Sequence, residues 1–223
     1  MISRRRFVPG IMRAAIRLRS VLRRPRFVRG PRIEHPFDAP IVRVGDLTLR
    51  PHRLTAADAE AWFELQSNPD VVRYLPWKLR TREQSLQHLR DRTRHTRLWQ
   101  AGDFLALAIE REGRMIGDVS AHLRTVSPDD RVVEVGWLIS PDESGHGYAT
   151  RAAETLIDYA FEVIRATRVI AVIHPRNARS RALAQRLGFV RMVSGGDLTE
   201  FVLTAAQRHE LAAHPVEQIR HVA

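Results

Sequence analysis

A glycine-containing turn between an apolar strand and a long helix is the segment of this sequence best suited to chemistry. The apolar run Val132–Ile139 is followed by Gly145-His146-Gly147, which leads directly into a helical pattern. The first amides of a helix are unpaired and carry a positive partial charge, and glycines let the backbone approach a ligand closely. The amides of residues 144–149 are therefore a candidate cradle for a diphosphate. An ordinary turn is the alternative, because Gly-x-Gly before a helix is a weak signal by itself.

An acidic residue inside the same apolar strand is a candidate general base. Glu134 lies among valines, where a carboxylate needs a partner or a function. A carboxylate can accept the proton of an amine that has to act as a nucleophile, directly or through water. A position on the solvent face of the strand, or a pairing with an arginine, is the alternative. His122, on the preceding strand, is a second candidate base.

Periodicity and capping signals indicate the elements that position these residues. Thr55 is a plausible N-cap for a helix that ends at Asn68, and residues 81–98 have the pattern of a second, strongly charged helix. The remaining pattern predicts a hairpin of Phe104–Glu110 and Met115–Leu123, a helix from Gly147 to Ile164, a strand over Arg168–Ile173, a helix from Asn177 to Leu187, strands over Phe189–Val193 and Thr199–Leu203, and a last helix capped by Thr204 and Gln207.

Several short motifs, taken in their order and spacing, resemble the GNAT superfamily of N-acetyltransferases. They cover residues 134–139, 145–152, 177–180 and 187–189, which are similar to that superfamily's acetyl-CoA-binding core. Upstream, Leu49-Arg50-Pro51, Asp58 and residues 68–71 are similar to the RimJ/RimL-like branch, which acetylates the N-termini of ribosomal proteins. The resemblance covers about residues 42–204 and leaves the N-terminal segment outside.

The resemblance implies an α/β (α+β) domain with a mixed, mostly antiparallel sheet of six to seven strands flanked by helices. Val132–Ile139 and Arg168–Ile173 would be its central parallel neighbours, splayed to admit acetyl-CoA. The implied reaction is a direct transfer of acetyl from acetyl-CoA to an amine, without an acetyl-enzyme and without a metal. The sequence contains no cysteine, so a thiol nucleophile and Cys-based zinc sites are excluded.

Two motif positions depart from the superfamily's pattern. The pyrophosphate loop matches at Gly145 and Gly147, but its first position, usually Gln or Arg, is Asp142. The tyrosine that many members use to protonate the leaving thiolate is replaced by Ala184. Ser180 is then the candidate hydrogen-bond donor to the thiolate, and a solvent-facing serine is its alternative.

The resemblance also implies how the cosubstrate is held. Backbone groups of Leu138 and Ile139 would pair with the pantetheine arm like an added strand, and Asn177 would contact acetyl-CoA near the end of that arm, alone or combined with a role as N-cap. The expected catalytic residues are Glu134 and Ser180. The expected acetyl-CoA contacts are Leu138, Ile139, Ser144, Gly145, His146, Gly147, Tyr148, Ala149, Thr150, Asn177 and Ser180.

The positive charge of the chain is concentrated at its N-terminus. Eleven of the 36 Lys and Arg residues lie in residues 1–33 without any acidic residue, and the other 25 balance the 25 Asp and Glu residues. Residues 1–36 are therefore expected to form a separate basic arm, either an amphipathic helix on rRNA or an anionic membrane, or a disordered segment. Residues 37–210 would form the acetyltransferase domain, and residues 211–223 a C-terminal tail.

Three functions remain open from the sequence. They are an N-acetyltransferase for protein N-termini, an acetyltransferase for a small amine such as an antibiotic or a polyamine, and a non-catalytic acetyl-CoA-binding protein with an RNA- or membrane-binding arm. No apolar run approaches the roughly 20 residues that span a bilayer. With the lack of cysteine, this favours a cytoplasmic location. The sequence does not indicate an oligomeric state.

Overall fold

The computed structural model describes residues 31–192 and 198–213. Within these ranges the strands are β1 (Arg32–Asp38), β2 (Val42–Val44), β3 (Leu47–Pro51), β4 (Arg97–Gln100), β5 (Phe104–Arg111), β6 (Arg114–Leu123), β7 (Val132–Ile139), β8 (Arg168–Ile173), β9 (Val190–Met192) and β10 (Thr199–Thr204). The helices are α1 (Ala56–Ser67), α2 (Pro69–Val72), α3 (Arg82–Arg92), α4 (Tyr148–Glu162), α5 (Ala178–Arg186) and α6 (Ala205–Ala213).

One large sheet forms the centre of the molecule. Its strand order is β2-β3-β5-β6-β7-β8-β10-β9, and β1 pairs with β4 in a separate two-stranded sheet. Only β7 and β8 are parallel neighbours among the described strands. The predicted mixed, mostly antiparallel sheet with a central parallel pair is therefore confirmed. It has eight strands rather than six or seven because β2 and β9, with three residues each, extend its two edges.

Helices cover the two faces of this sheet unequally. On the face that we call the α4 face, Ala152, Leu156 and Ala160 of α4 are buried against the sheet, with side chains of α5 completing the layer. On the opposite face, here the α1 face, Trp62 of α1 and Leu89 of α3 cover β5 and β6. The strands β8, β10 and β9 present exposed side chains on this second face.

Local capping signals set most helix boundaries. The Oγ1 of Thr55 accepts a hydrogen bond from the Asp58 amide, and Thr81 forms a complete capping box with Gln84. Thr204 and Gln207 form the predicted reciprocal pair at the start of α6. Such caps satisfy amides that have no partner within the helix.

The predicted helix over residues 81–98 is too long. α3 ends at Arg92, and Arg97–Gln100 forms β4, in which alternate residues are buried. Leu98 is fully buried, and the strand pairs with β1. The strand β1 lies about 60 residues earlier in the chain. Pairing with it overrides the local helical pattern, and the residues around 81–98 alone do not reveal that pairing.

Two structural elements cross the predicted domain boundaries. β1 begins at Arg32, pairs with β4 and buries Ile33, so this strand spans the boundary that the sequence places after residue 36. α6 continues to Ala213 and takes up the first residues of the predicted tail. The rest of the predicted arm, residues 1–30 with the proposed amphipathic helix, lies outside the described residues.

Candidate active site

The two central parallel strands separate towards their carboxyl ends. β6 pairs with β7 as far as Ile139, whereas the ladder between β7 and β8 ends at the pair Glu134↔Ile170. The carboxyl half of β7, residues 135–139, therefore has an open edge towards β8. Leu138 and Ile139, predicted to pair with pantetheine, lie on this open half. We call the gap between β7 and β8 the mouth.

The predicted phosphate loop lies directly after this half of β7. Gly145 and Gly147 have backbone φ values of +89° and +76°, and a Cβ built on either would meet nothing within 4 Å. The glycines are therefore required by backbone conformation, and the space around them is open. Gly147 is the N-cap of α4, so the loop leads the first amides of the 15-residue helix towards that space. This arrangement fits a bound diphosphate.

The first residue of α4 holds the loop onto the core. Tyr148 is buried, and the guanidinium groups of Arg111 and Arg151 lie 5.3 and 5.2 Å from its ring centroid. Asp46 accepts hydrogen bonds from both arginines, at 2.9 and 2.7 Å. His146 stacks on the same tyrosine, and Ala149 and Thr150 follow, half-buried. Tyr148 thus anchors the helix by packing.

The segment after β8 emerges at the same edge of the sheet as the phosphate loop, because β7 and β8 are parallel. Asn177 is the N-cap of α5, and its Oδ1 accepts a hydrogen bond from the Ser180 amide at 3.1 Å. Ser180 is partly exposed in the first turn of that helix. Ala184, at the position of the missing tyrosine, is fully buried and belongs to the core.

Glu134 is paired with an arginine, which is the alternative considered for it from the sequence. Nε and Nη2 of Arg124 lie 2.8 and 2.7 Å from Oε2 of Glu134. The carboxylate remains 22% exposed. Its Oε1 takes part in no hydrogen bond among the described residues, so one oxygen remains for a proton or a water molecule. Ser144 has a local role besides the predicted one, because its hydroxyl donates to the Ser140 carbonyl oxygen.

His122, the second candidate base, lies opposite Glu134 in the β6–β7 register. Burial first, and then the charges of Arg124 and Arg92, lower the pKa of His122 to about 3. The ring is stacked on Phe104 and 3.2 Å from the Ser120 hydroxyl. The imidazole is neutral at pH 7 but has too little affinity for a proton to take one from an ammonium group.

A buried polar network behind the mouth is not predicted from the sequence. Asp118 of β6 accepts from Arg92 at 2.6 Å and contacts His52 at 2.7 Å. Burial alone would raise the pKa of Asp118, but Arg92 and His52 hold it below its usual value. An acidic residue inside an apolar strand is the same signal that identifies Glu134. Its partners come from two distant segments, so the signal does not reveal the network.

The family of the chain follows from its residues 46–190, which match the acetyltransferase (GNAT) domain. The chain belongs to the GNAT family of acetyltransferases. The spermidine N(1)-acetyltransferase of Escherichia coli K12 is 28% identical over 168 residues, 73% of this chain and 82% of that protein. The putative ribosomal N-acetyltransferase YdaF of Bacillus subtilis strain 168 is 34% identical over 79 residues, 35% of this chain and 42% of that protein.

The fold is also that of solved acetyltransferases. The structure of Mycobacterium smegmatis RimJ in complex with CoA-disulfide covers 81% of this chain and 97% of its own, with a TM-score of 0.60 and 23% identity. The chain is therefore an N-acetyltransferase, with acetyl-CoA as the acetyl donor and an amine as the acceptor. No helix within the described ranges is long and apolar enough to cross a membrane. The described residues also contain no group of acidic or histidine side chains placed to hold a metal ion.

Proposed function

We propose that this acetyltransferase modifies the α-amine at the N-terminus of a protein, and that this protein is of the ribosomal type. The observation that carries the proposal is the state of Glu134, whose Oε2 is held by Arg124 while Oε1 remains available. Such a site suits an amine that needs little help to lose its proton. An α-amine has a pKa of about 7.7–8, so a sizeable minority is neutral at pH 7, whereas an alkyl amine near 10.4 is almost entirely charged.

The proposed reaction uses two side chains at the mouth. Oε1 of Glu134 accepts the amine proton, directly or through a water molecule, and the amine nitrogen attacks the thioester carbonyl carbon. The C–S bond then breaks, the nitrogen releases its second proton to solvent, and CoA leaves as a thiolate, to which the Ser180 hydroxyl donates a hydrogen bond. A thiolate whose conjugate acid has a pKa near 8.5 leaves with little assistance. A serine is therefore a sufficient hydrogen-bond donor at a step where many relatives use a tyrosine.

The phosphate loop is proposed to hold the diphosphate of acetyl-CoA through backbone amides of residues 144–150. Asp142 is exposed in the turn before the loop, so its carboxylate can point to solvent. Leu138, Ile139 and Asn177 would complete the contacts along the pantetheine arm. The name of YdaF supports a ribosomal acceptor, and the arginines of residues 1–33 would keep the enzyme near rRNA.

A small amine is the second candidate acceptor, because the spermidine acetyltransferase matches a larger part of this chain than YdaF does. The two candidates differ in the amine that reacts, since a spermidine nitrogen is an alkyl amine. A role restricted to binding acetyl-CoA is the remaining alternative, and turnover on any amine excludes it.

The test is the release of CoA with a panel of acceptors. The panel contains peptides starting with Ala or Ser, the same peptides with a blocked N-terminus and an internal lysine, spermidine and an aminoglycoside. Turnover on the free peptides alone supports the proposal. Turnover on the blocked peptides or on the small amines alone contradicts it.

Glu134→Gln tests the role of the carboxylate in the same assay. We expect kcat/KM to fall by about 10²-fold at pH 7, with a smaller deficit at pH 9, where the α-amine is already neutral. Glu162→Gln, an exposed change at the end of α4, is the control. Ser180→Ala should lower kcat by less than Glu134→Gln does. A Glu134→Gln deficit that stays constant from pH 7 to 9 would show that the carboxylate does not take the proton.

A further inference from the structure

The α1 face of the sheet continues beyond the mouth, and no helix of the described residues lies over it there. Cross-strand register aligns two rows of side chains there, Ile170–Val202–Val190 and Val172–Glu200–Met192. We call these six residues the open face. Val172, Val190 and Met192 are 39%, 49% and 48% exposed.

The apolar residues of the open face are not explained by the fold. β8 carries apolar side chains on both faces over Val169–Ile173, a pattern typical of a strand that is covered on both sides. Its α4 face is buried, but Val172 on the α1 face is exposed. The six Cα positions span about 10 Å across the strands by about 7 Å along them. The area of the open face is therefore far smaller than the ~800 Å² that each partner of a standard protein interface buries. It is large enough for one alkyl chain or for two to three residues of a peptide.

Glu200 differs from the other carboxylates on this face of the sheet. Glu110 is paired with Arg50, Asp118 with Arg92 and Glu134 with Arg124. The side chain of Glu200 is exposed and makes no ion pair or hydrogen bond within the described part of the chain. It stands between Val172 and Met192 in its row.

The position of Glu200 relates it to the mouth. Ile170 is the direct neighbour of Glu134 across the last pair of the parallel ladder. Glu200 lies one strand beyond β8 and is paired with Val172, two residues nearer the carboxyl edge. Strand spacing and rise put Glu200 on the order of 10 Å from Glu134, at the end of the sheet where the mouth opens.

We propose that the open face is a specificity surface for the acceptor and that it selects an acceptor with a second cation about 10 Å from the reacting amine. The aliphatic stem lies on Ile170, Val172 and Val202, and the cationic head reaches Glu200, in the way that long basic side chains cover apolar surface while their charge stays in water. The inference rests on the proposed function in one respect, namely that the reacting amine lies at the mouth beside Glu134.

The second cation is a Lys or Arg side chain next to the N-terminus of a peptide acceptor, which has such a stem and head. The second nitrogen of a polyamine shares this chemistry and is the contrasting case in the test. Each needs a matched partner without the second charge. We would use a peptide with Lys at its second position against the same peptide with norleucine, and a diamine against a monoamine of equal chain length.

The experiment compares Glu200→Gln and Glu200→Lys with the wild type on these four acceptors. An exposed ion pair supports a change of up to about fivefold, so KM for the charged member should rise about three- to fivefold in Glu200→Gln. In Glu200→Lys, repulsion should bring the rise to about tenfold. We expect kcat to stay constant, the uncharged members to be unaffected, and the effect to shrink at high salt.

Glu162→Lys provides the matched control, because it reverses an exposed charge at the end of α4 and should change no KM. A response of the peptide pair supports the inference, and a response of the amine pair alone overturns it in favour of a polyamine. Equal effects on charged and uncharged members, or no effect on either, would overturn the inference.

Failure of the proposed function is recognised separately. If the wild type releases no CoA with any acceptor, the proposed function fails. Binding of the peptide with Lys at its second position to the CoA-loaded protein, measured by calorimetry against the norleucine peptide, then tests the open face. Weaker binding in Glu200→Lys supports the inference, and unchanged binding overturns it.

Discussion

Guanidinium groups fix the acidic side chains on the α1 face. Arg50 is 1% exposed and donates to both oxygens of Asp58 at 2.8 Å, and its Nε donates to Glu110 at 2.6 Å. Two nitrogens of Arg124 contact the single oxygen Oε2 of Glu134, and Nη2 of Arg92 donates to Asp118. A planar guanidinium fork defines the orientation of a carboxylate more tightly than a point charge does. The carboxylate of Glu134 is therefore pre-positioned, with Oε2 paired and Oε1 free of hydrogen bonds to the described residues.

Two histidines next to these arginines make the folded state sensitive to acid. Burial is the main cause that lowers the pKa of both His122 and His88 to about 3, and Arg92 lowers both further. In the unfolded chain each would titrate near 6.5. Between pH 6.5 and 3 the unfolded state therefore binds more protons, and the free energy of unfolding falls as the pH falls. Above pH 6.5 both histidines are neutral in the folded and the unfolded state, so this loss of stability is absent.

We predict that His122→Gln and His88→Gln each reduce the pH dependence of stability below pH 6.5, by up to one proton. Urea unfolding at several pH values between 5 and 8 measures the slope. His35→Gln, a change at an exposed histidine, is the control. A slope that is the same in the wild type and in the His122→Gln and His88→Gln variants would contradict the prediction.

At the scale of the elements, the turn between β7 and α4 requires glycine for its conformation rather than for space. Gly147 and the hairpin residue Gly113 have nearly the same φ, +76° and +79°, and both have open surroundings. An alanine at either position costs about 1–2 kcal/mol, because a left-handed backbone brings its Cβ too close to the following carbonyl oxygen. The two substitutions are therefore matched in their effect on the backbone.

We predict that Gly147→Ala raises KM for acetyl-CoA by about tenfold, because relaxation of the loop misdirects the amides that hold the diphosphate. Gly113→Ala should lower stability to a similar extent and leave that KM unchanged. Steady-state kinetics with acetyl-CoA as the varied substrate, together with urea unfolding of both variants, is the measurement. If both variants change KM equally, the effect is one of stability and the loop is not the diphosphate site.

Local signals predict elements well, and long-range pairing decides the rest. The caps Thr55, Asn177 and Thr204 and the helix α4 follow from residues within four positions of one another, and the structure contains them. The end of α3 does not follow from such local signals, because the nearby strand β4 is stabilised by its pairing with the distant strand β1.

The candidate site shows the same limit. Glu134 and Glu200 carry the same local pattern, an acidic residue within an apolar strand, and the family motif of residues 134–139 adds only a resemblance for the first. Only the strand order and the position of Arg124 distinguish the carboxylate that is held at the mouth from the one that is unpaired on the open face. The order of the strands depends on contacts far apart in the chain, which periodicity does not encode.

The whole molecule separates its charge between a balanced body and a basic N-terminal segment. Residues 1–30 contain ten arginines and no acidic residue, and the structure begins its first strand at Arg32. A truncation after residue 30 therefore removes the basic segment and leaves β1 with its buried Ile33 intact, whereas a truncation after residue 36 would remove part of that strand.

We predict that removal of residues 1–30 leaves CoA release on a short acceptor within about twofold of the wild type and abolishes most of the affinity for an rRNA fragment. Arginine–phosphate contacts release counterions, so the intact chain should lose affinity by about 10³-fold or more between 50 and 200 mM salt if six or more contacts form. The truncated chain should show a shallow salt dependence, because its charges balance. Fluorescence anisotropy with labelled RNA over a salt series measures both slopes. Equal slopes for the two chains would place RNA binding on the folded body, and a loss of turnover on the short acceptor would instead give residues 1–30 a part in the acetyl transfer itself.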